Sequence, residues 1–147
     1  MKKILLILFF VPLLFGCGGE KKENDLTENN IKGKVKEIIE NWYDAKEAFG
    51  DLEKGDLNLK EKSKFNEDGN ETEFTSYNSD GELIFKFKYK YDKDGNKTEE
   101  TWYDKDGELE RKYKNKYEFD KENNWIVQTI YEDEKATSIT EREIEYY

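Results

Sequence analysis

Phe65-Asn66-Glu67-Asp68-Gly69-Asn70, Tyr77-Asn78-Ser79-Asp80-Gly81-Glu82, Tyr91-Asp92-Lys93-Asp94-Gly95-Asn96 and Tyr103-Asp104-Lys105-Asp106-Gly107-Glu108 are four renderings of one phrase. An aromatic residue comes first, then Asp or Asn, two turn-forming residues, Gly, and a polar residue that opens a new apolar-rich run. Phe65, Tyr91 and Phe119 each precede a second aromatic (Tyr77, Tyr103, Tyr131) by twelve residues, and the larger unit recurs after 26 and then 28 residues. Twelve to sixteen residues suit one strand plus one tight turn, so each large unit reads as a β-hairpin. Gly69, Gly81, Gly95 and Gly107 are the turn and register residues, because a three-residue hairpin loop ends on a left-handed backbone position. The last copies drift, as the capping repeats of an array do. Asn123 stands where Gly stood, and Tyr131-Glu132-Asp133-Glu134-Lys135 has no Gly.

This turn type places Tyr77 opposite Leu83 and Tyr103 opposite Leu109. It places Phe65, Tyr91 and Phe119 opposite Glu71, Lys97 and Trp125. Propagating the pairing along uninterrupted strands predicts two faces. One carries Leu83, Phe85, Phe87, Tyr89, Tyr91, Tyr103, Leu109, Tyr113, Tyr117, Phe119, Trp125, Val127 and Tyr131, interrupted by Glu71, Glu73, Lys97, Glu99 and Arg111. The other carries Lys86, Lys88, Lys90, Glu100, Lys112, Lys114 and Lys116, with Glu100 between Lys88 and Lys112.

Upstream, Lys34 to Tyr43 alternates and fits a strand or a short helix. A strand is favoured because Trp42-Tyr43-Asp44 echoes Trp102-Tyr103-Asp104. Ala45 to Asp56 reads as a longer loop, with a helical turn over 45–50 capped by Gly50. The predicted fold is all-β: an antiparallel up-and-down meander of about eight strands, built from repeated hairpins in one open or curled sheet, preceded by a flexible tether.

The chain opens with Lys2-Lys3 and an apolar run from Ile4 to Phe15, too short to span a bilayer as a helix. With Leu14-Phe15-Gly16-Cys17 it resembles the signal peptide and lipobox of bacterial lipoproteins. The resemblance implies cleavage before Cys17, lipidation of its sulfur and a membrane-anchored address in the cell envelope. It also divides the chain into a signal peptide (1–16), a lipidated Cys17 with a tether (17–32) and a repeat domain (33–147). The charged run Glu20-Lys21-Lys22-Glu23 reads as solvated linker, or alternatively as an export signal like those of some surface-displayed lipoproteins. The Tyr91–Asn96 phrase resembles the tyrosine-aspartate repeats of Rhs-type and teneurin-like surface proteins over residues 65–131. A domain this small is too short to enclose a cargo as their arrays do.

Composition narrows function. Removing residues 1–16 takes away two of the 25 basic residues and none of the 35 acidic ones, leaving a net charge of −12. Such a chain repels phosphate backbones, so nucleic acid is not an expected partner. There is no His, and Cys17 is the only Cys, so a Ser-His-Asp triad, a Cys-His pair and the usual zinc sites are all excluded. No catalytic residues, metal or cofactor are predicted. Asp92-Lys93-Asp94-Gly95 has a flavour of a calcium loop but lacks its Gly and Glu spacing, and reads as turn chemistry. Trp102, Trp125 and Tyr103 are candidate sugar-stacking residues. Three roles remain open: a non-catalytic envelope surface for structural or protein contacts, a glycan-binding module, and an immunity or inhibitor lipoprotein for a basic protein.

Overall fold

A computed structural model describes residues 23–147. The stretches read as signal peptide, lipidated Cys17 and the tether up to residue 22 lie outside the described residues. Eight strands form one antiparallel sheet in strict sequence order. They are β1 (Glu37–Ala48), β2 (Asp51–Phe65), β3 (Glu71–Asn78), β4 (Leu83–Tyr91), β5 (Lys97–Tyr103), β6 (Leu109–Phe119), β7 (Trp125–Glu132) and β8 (Lys135–Glu141), preceded by the single-turn helix α1 (Asp25–Glu28). Each strand packs substantially only against its neighbours in sequence. The sheet is a single layer, and the meander predicted from the turn phrases is the observed architecture.

The repeated phrase makes the turns by one mechanism. In the β4–β5 hairpin, Asp92 N–H donates to Asn96 O and Gly95 N–H donates back to Asp92 O, at 3.0 and 3.1 Å. Asp92 Oδ1 accepts from the N–H groups of Asp94 and Asn96, both at 2.9 Å. Asn66, Asn78, Asp104 and Asp120 repeat that side-chain pattern in their own turns. Asn123 adopts φ 63° in the Gly position, as an Asn tolerates. Asp92, Asp104 and Asp120 each turn one carboxylate oxygen to two backbone N–H groups, which is the turn chemistry read from the sequence.

Three parts of the sequence reading need correction. The first concerns the faces. All five turn-flanking pairs occur as predicted, but each is followed by a β-bulge. The residue after the pair (Thr72, Ile84, Thr98, Glu110 or Ile126) is extra on its strand. One extra residue inverts the alternation beyond it. Thr72 and Thr98 hold their bulges by donating to Lys64 O and Lys90 O, both at 3.2 Å. Trp102 and Glu100 consequently share the face of Phe87 and Tyr89. Tyr103, Leu109, Val127 and Tyr131 move to the lysine face. Glu99, rather than Glu100, lies between lysines, and Glu73 also leaves the aromatic face for the lysine face.

The second correction concerns 45–56. No helical turn forms there; β1 runs on to Ala48 and turns on Phe49-Gly50, with φ 54° and 90°, straight into β2. Two successive left-handed residues make the tight hairpin turn that matches strand twist.

The third concerns the stretch read as tether. From Asn24 to Ile31 it docks against the first repeat turn. Asn24 and Thr27 form a reciprocal cap for α1. Leu26 N–H donates to Gly69 O, and Asn24 Nδ2 donates to Asp68 O at 2.7 Å. Leu26, 4% exposed, is the only buried hydrophobic side chain among the described residues. A single-layer sheet has no interior, so the apolar core reduces to this docking point plus half-covered rows on the faces.

Candidate functional surfaces

On the aromatic face, Phe74, Phe85 and Phe87 stack with centroids 4.9–6.2 Å apart. The row continues through Trp102, 5.1 Å from Phe87, to Tyr113 at 5.6 Å. Such pairs contribute about 0.5–1.5 kcal/mol each beyond their area. Trp102 is held at both ends: its Nε1 donates to Glu100 at 2.6 Å, and the Arg111 guanidinium lies over the ring at 5.7 Å. Trp125 packs on Tyr117 and carries Arg142 at 3.2 Å from its ring centre. Tyr103 lies on the opposite face beneath Lys88, at 5.3 Å. The structure therefore does not assemble Trp102, Trp125 and Tyr103 into one platform. Trp42 stands 56% exposed on this face beside Glu61.

Beside α1 this face holds an open groove of about 540 Å³, lined in part by Asp25, Ile38, Glu40, Ser63, Glu71 and Phe74. Asp25 Oδ2 accepts from Glu71 N–H and from the Tyr91 hydroxyl, the latter at 3.1 Å. Burial raises the Glu71 carboxyl above its ordinary range, and the neighbouring Asp25 charge adds to the rise. Burial also raises the phenols of Tyr89 and Tyr91, again with nearby acids contributing. Lys97 balances these acids: its ammonium sits 4.3 Å over the Tyr89 ring and 3.3 Å from Glu100. The groove is where the helix is fastened to the sheet.

The opposite face is a lattice. β2, β4 and β6 each present three lysines at alternate positions: Lys60, Lys62 and Lys64; Lys86, Lys88 and Lys90; Lys112, Lys114 and Lys116. Between them β3 and β5 present Glu73, Thr75 and Tyr77, then Glu99, Thr101 and Tyr103. Each glutamate is clasped from both sides. Glu73 meets Lys64 at 2.6 Å and Lys86 at 3.2 Å; Glu99 meets Lys90 at 2.9 Å and Lys112 at 3.2 Å. The Lys90 and Lys112 hydrogen bonds hold the Glu99 carboxyl below its ordinary range. At Glu73 burial pushes upward, but the two lysines outweigh it and the net shift is downward. Thr75, 3% exposed, and Thr101 form the floor between the lysine rows. This arrangement was missed because the predicted alternation ignored the bulges. The 26-residue recurrence of Lys60, Lys86 and Lys112 in phase with Glu73 and Glu99 is the signal that carried it.

A scan of protein-family models finds none matching this chain, and searches of curated proteins and of solved structures find no match either.

Proposed function

We propose that this protein is a non-catalytic binding module anchored in a bacterial cell envelope through a lipid on Cys17. The observation that carries the reading is the single-layer sheet, whose two chemically different faces both remain open to solvent. Neither face is spent on packing a second layer, as a sheet in an ordinary two-layer domain would be. The repeat domain holds no His and no Cys to serve as nucleophile or general base near neutral pH. The arginines over Trp102 and Trp125 cover rings that a sugar would need, which weakens the aromatic face as a glycan platform.

Metabolic labelling with palmitate, with and without the signal-peptidase inhibitor globomycin, tests the anchor. The wild-type chain should label, sediment with membranes and accumulate as precursor under the inhibitor, whereas Cys17→Ser should do none of these. A wild-type protein that is unlabelled and soluble after fractionation would overturn the reading.

A further inference from the structure

We infer that the lysine face binds a linear acidic polysaccharide, carboxylated or sulfated, laid across the strands. Over the strand residues from Lys60 to Phe119 this face carries nine lysines against Glu73, Glu99, Glu110 and Glu118, an excess of five positive charges. The whole chain has a net charge of −10, so its negative charge is concentrated elsewhere. Such segregation orients and attracts a polyanion toward one face and repels it from the rest. Lys60, Lys88 and Lys116 form no ion pair among the described residues, and they run diagonally across the three rows. Lys88 and Lys116 rest instead on the rings of Tyr103 and Tyr131, at 5.3 and 4.9 Å, which leaves their N–H donors available.

Geometry selects the polymer. Lysine rows on alternate strands lie about 10 Å apart, with about 7 Å between lysines along a row. Adjacent strands rotate by roughly 20–25°, so the rows on β2 and β6 diverge by about 80–100°. A flat anionic bilayer could touch little more than one row at a time. Duplex nucleic acid, with a persistence length of about 50 nm, could not follow the turn either. Single strands bind where aromatic rings are free to stack bases, and here Tyr103 and Tyr131 lie under lysines. A flexible chain with widely spaced charges and many hydroxyls follows the twist and meets lysines at the charges and Tyr hydroxyls between them.

The inference rests on reading the sheet as a binding surface, and it does not depend on the lipid. The test uses the full mature chain in zwitterionic detergent micelles, titrated with dextran sulfate and with polygalacturonate across a salt series. Binding should weaken steeply with salt, as counterion release requires. Lys60→Gln/Lys88→Gln/Lys116→Gln should weaken it about tenfold or more and flatten the salt slope. Lys32→Gln/Lys46→Gln/Lys135→Gln, with the same charge change off this face, should stay within about twofold of wild type. Circular dichroism and single substitutions at Lys88 and Lys116 guard against misfolding. The inference fails if neither polymer binds, or if the two triple variants lose equally. It fails also if vesicles of 3:1 phosphatidylcholine and phosphatidylglycerol, or an oligothymidylate, bind more tightly than either polysaccharide. Failure here with normal palmitate labelling would leave the anchor standing.

Discussion

Gly69 and Gly107 occupy the same position in two copies of the turn phrase, with φ 85° and 79°. Around Gly107 nothing lies within 4 Å of an added Cβ, so Gly107→Ala tests backbone conformation alone. A left-handed non-Gly residue costs roughly 1–2 kcal/mol, offset by roughly 0.4–1 kcal/mol from the stiffer unfolded chain, which leaves about 0.5–1.5 kcal/mol. At Gly69 the same Cβ would sit 2.8–2.9 Å from three atoms of the Asn24 side chain. Asn24 caps α1 and holds Asp68, so displacing it releases the cap and loosens Leu26. A lost cap is worth about 1 kcal/mol and partial exposure of a Leu about another 1–2 kcal/mol. Gly69→Ala should therefore cost about 2–3 kcal/mol more than Gly107→Ala. Urea unfolding followed by tryptophan fluorescence measures both. In an Asn24→Ala background, Gly69→Ala should fall to the Gly107→Ala value, because the clash is gone. Equal costs in the native background would refute the claim that α1 is fastened to the first turn.

Three further outcomes follow from the geometry. The Glu71 carboxyl is raised in the folded state, so its contribution is favourable below the unfolded pKa and is lost as pH rises through the folded one. Glu71→Gln should raise the Tm at pH 7 and leave it unchanged near pH 3, and a gain of equal size at both would count against burial as the cause. Glu99 is the reverse case: its lowered pKa contributes stability above the unfolded value that is lost as pH falls through the folded one. Glu99→Gln should thus destabilise at pH 7 and converge with wild type in acid, as thermal melts at both pH values would show. At the last hairpin, Asp133 and Glu134 are both left-handed, at φ 46° and 70°. Replacing them with Asn-Gly should stabilise by about 1–2 kcal/mol in the same urea assay, and no gain would mean the turn is not strained.

The meander was legible because its turns carry their own chemistry. Asp or Asn accepting backbone N–H groups, followed by a left-handed Gly, leaves one loop length and one pairing at the turn. What failed was extrapolation beyond the first pair. Thr72, Ile84, Thr98, Glu110 and Ile126 are the bulged residues, and nothing in their types marks them, since each also suits or tolerates a regular strand. Alternation alone therefore assigned Tyr103 to the wrong face and put Glu100 where Glu99 belongs. The docking of α1 was hidden for a different reason. Leu26 is a lone apolar residue in a charged stretch, and its partner, Gly69, lies far off in sequence. Of the candidate stacking trio, Tyr103 faces away from its strand neighbour Trp102 by plain alternation, and the bulge after the Tyr103–Leu109 pair puts Trp125 on the face of Trp102.

Because each strand leans only on its neighbours, the sheet has the mechanics of a zipper. β1 and β8 form its two outer edges, so a pull between the chain's ends draws the edges apart and opens the ladders one after another. Both edges are fastened at the same end of the strands. α1 grips the β2–β3 turn, and Tyr146 grips the β6–β7 turn through Asp120 and Asn124. Traction from the N-terminal side would reach α1 first and peel the array from β1, while the lysine rows on β4 and β6 stayed paired until their own ladders opened.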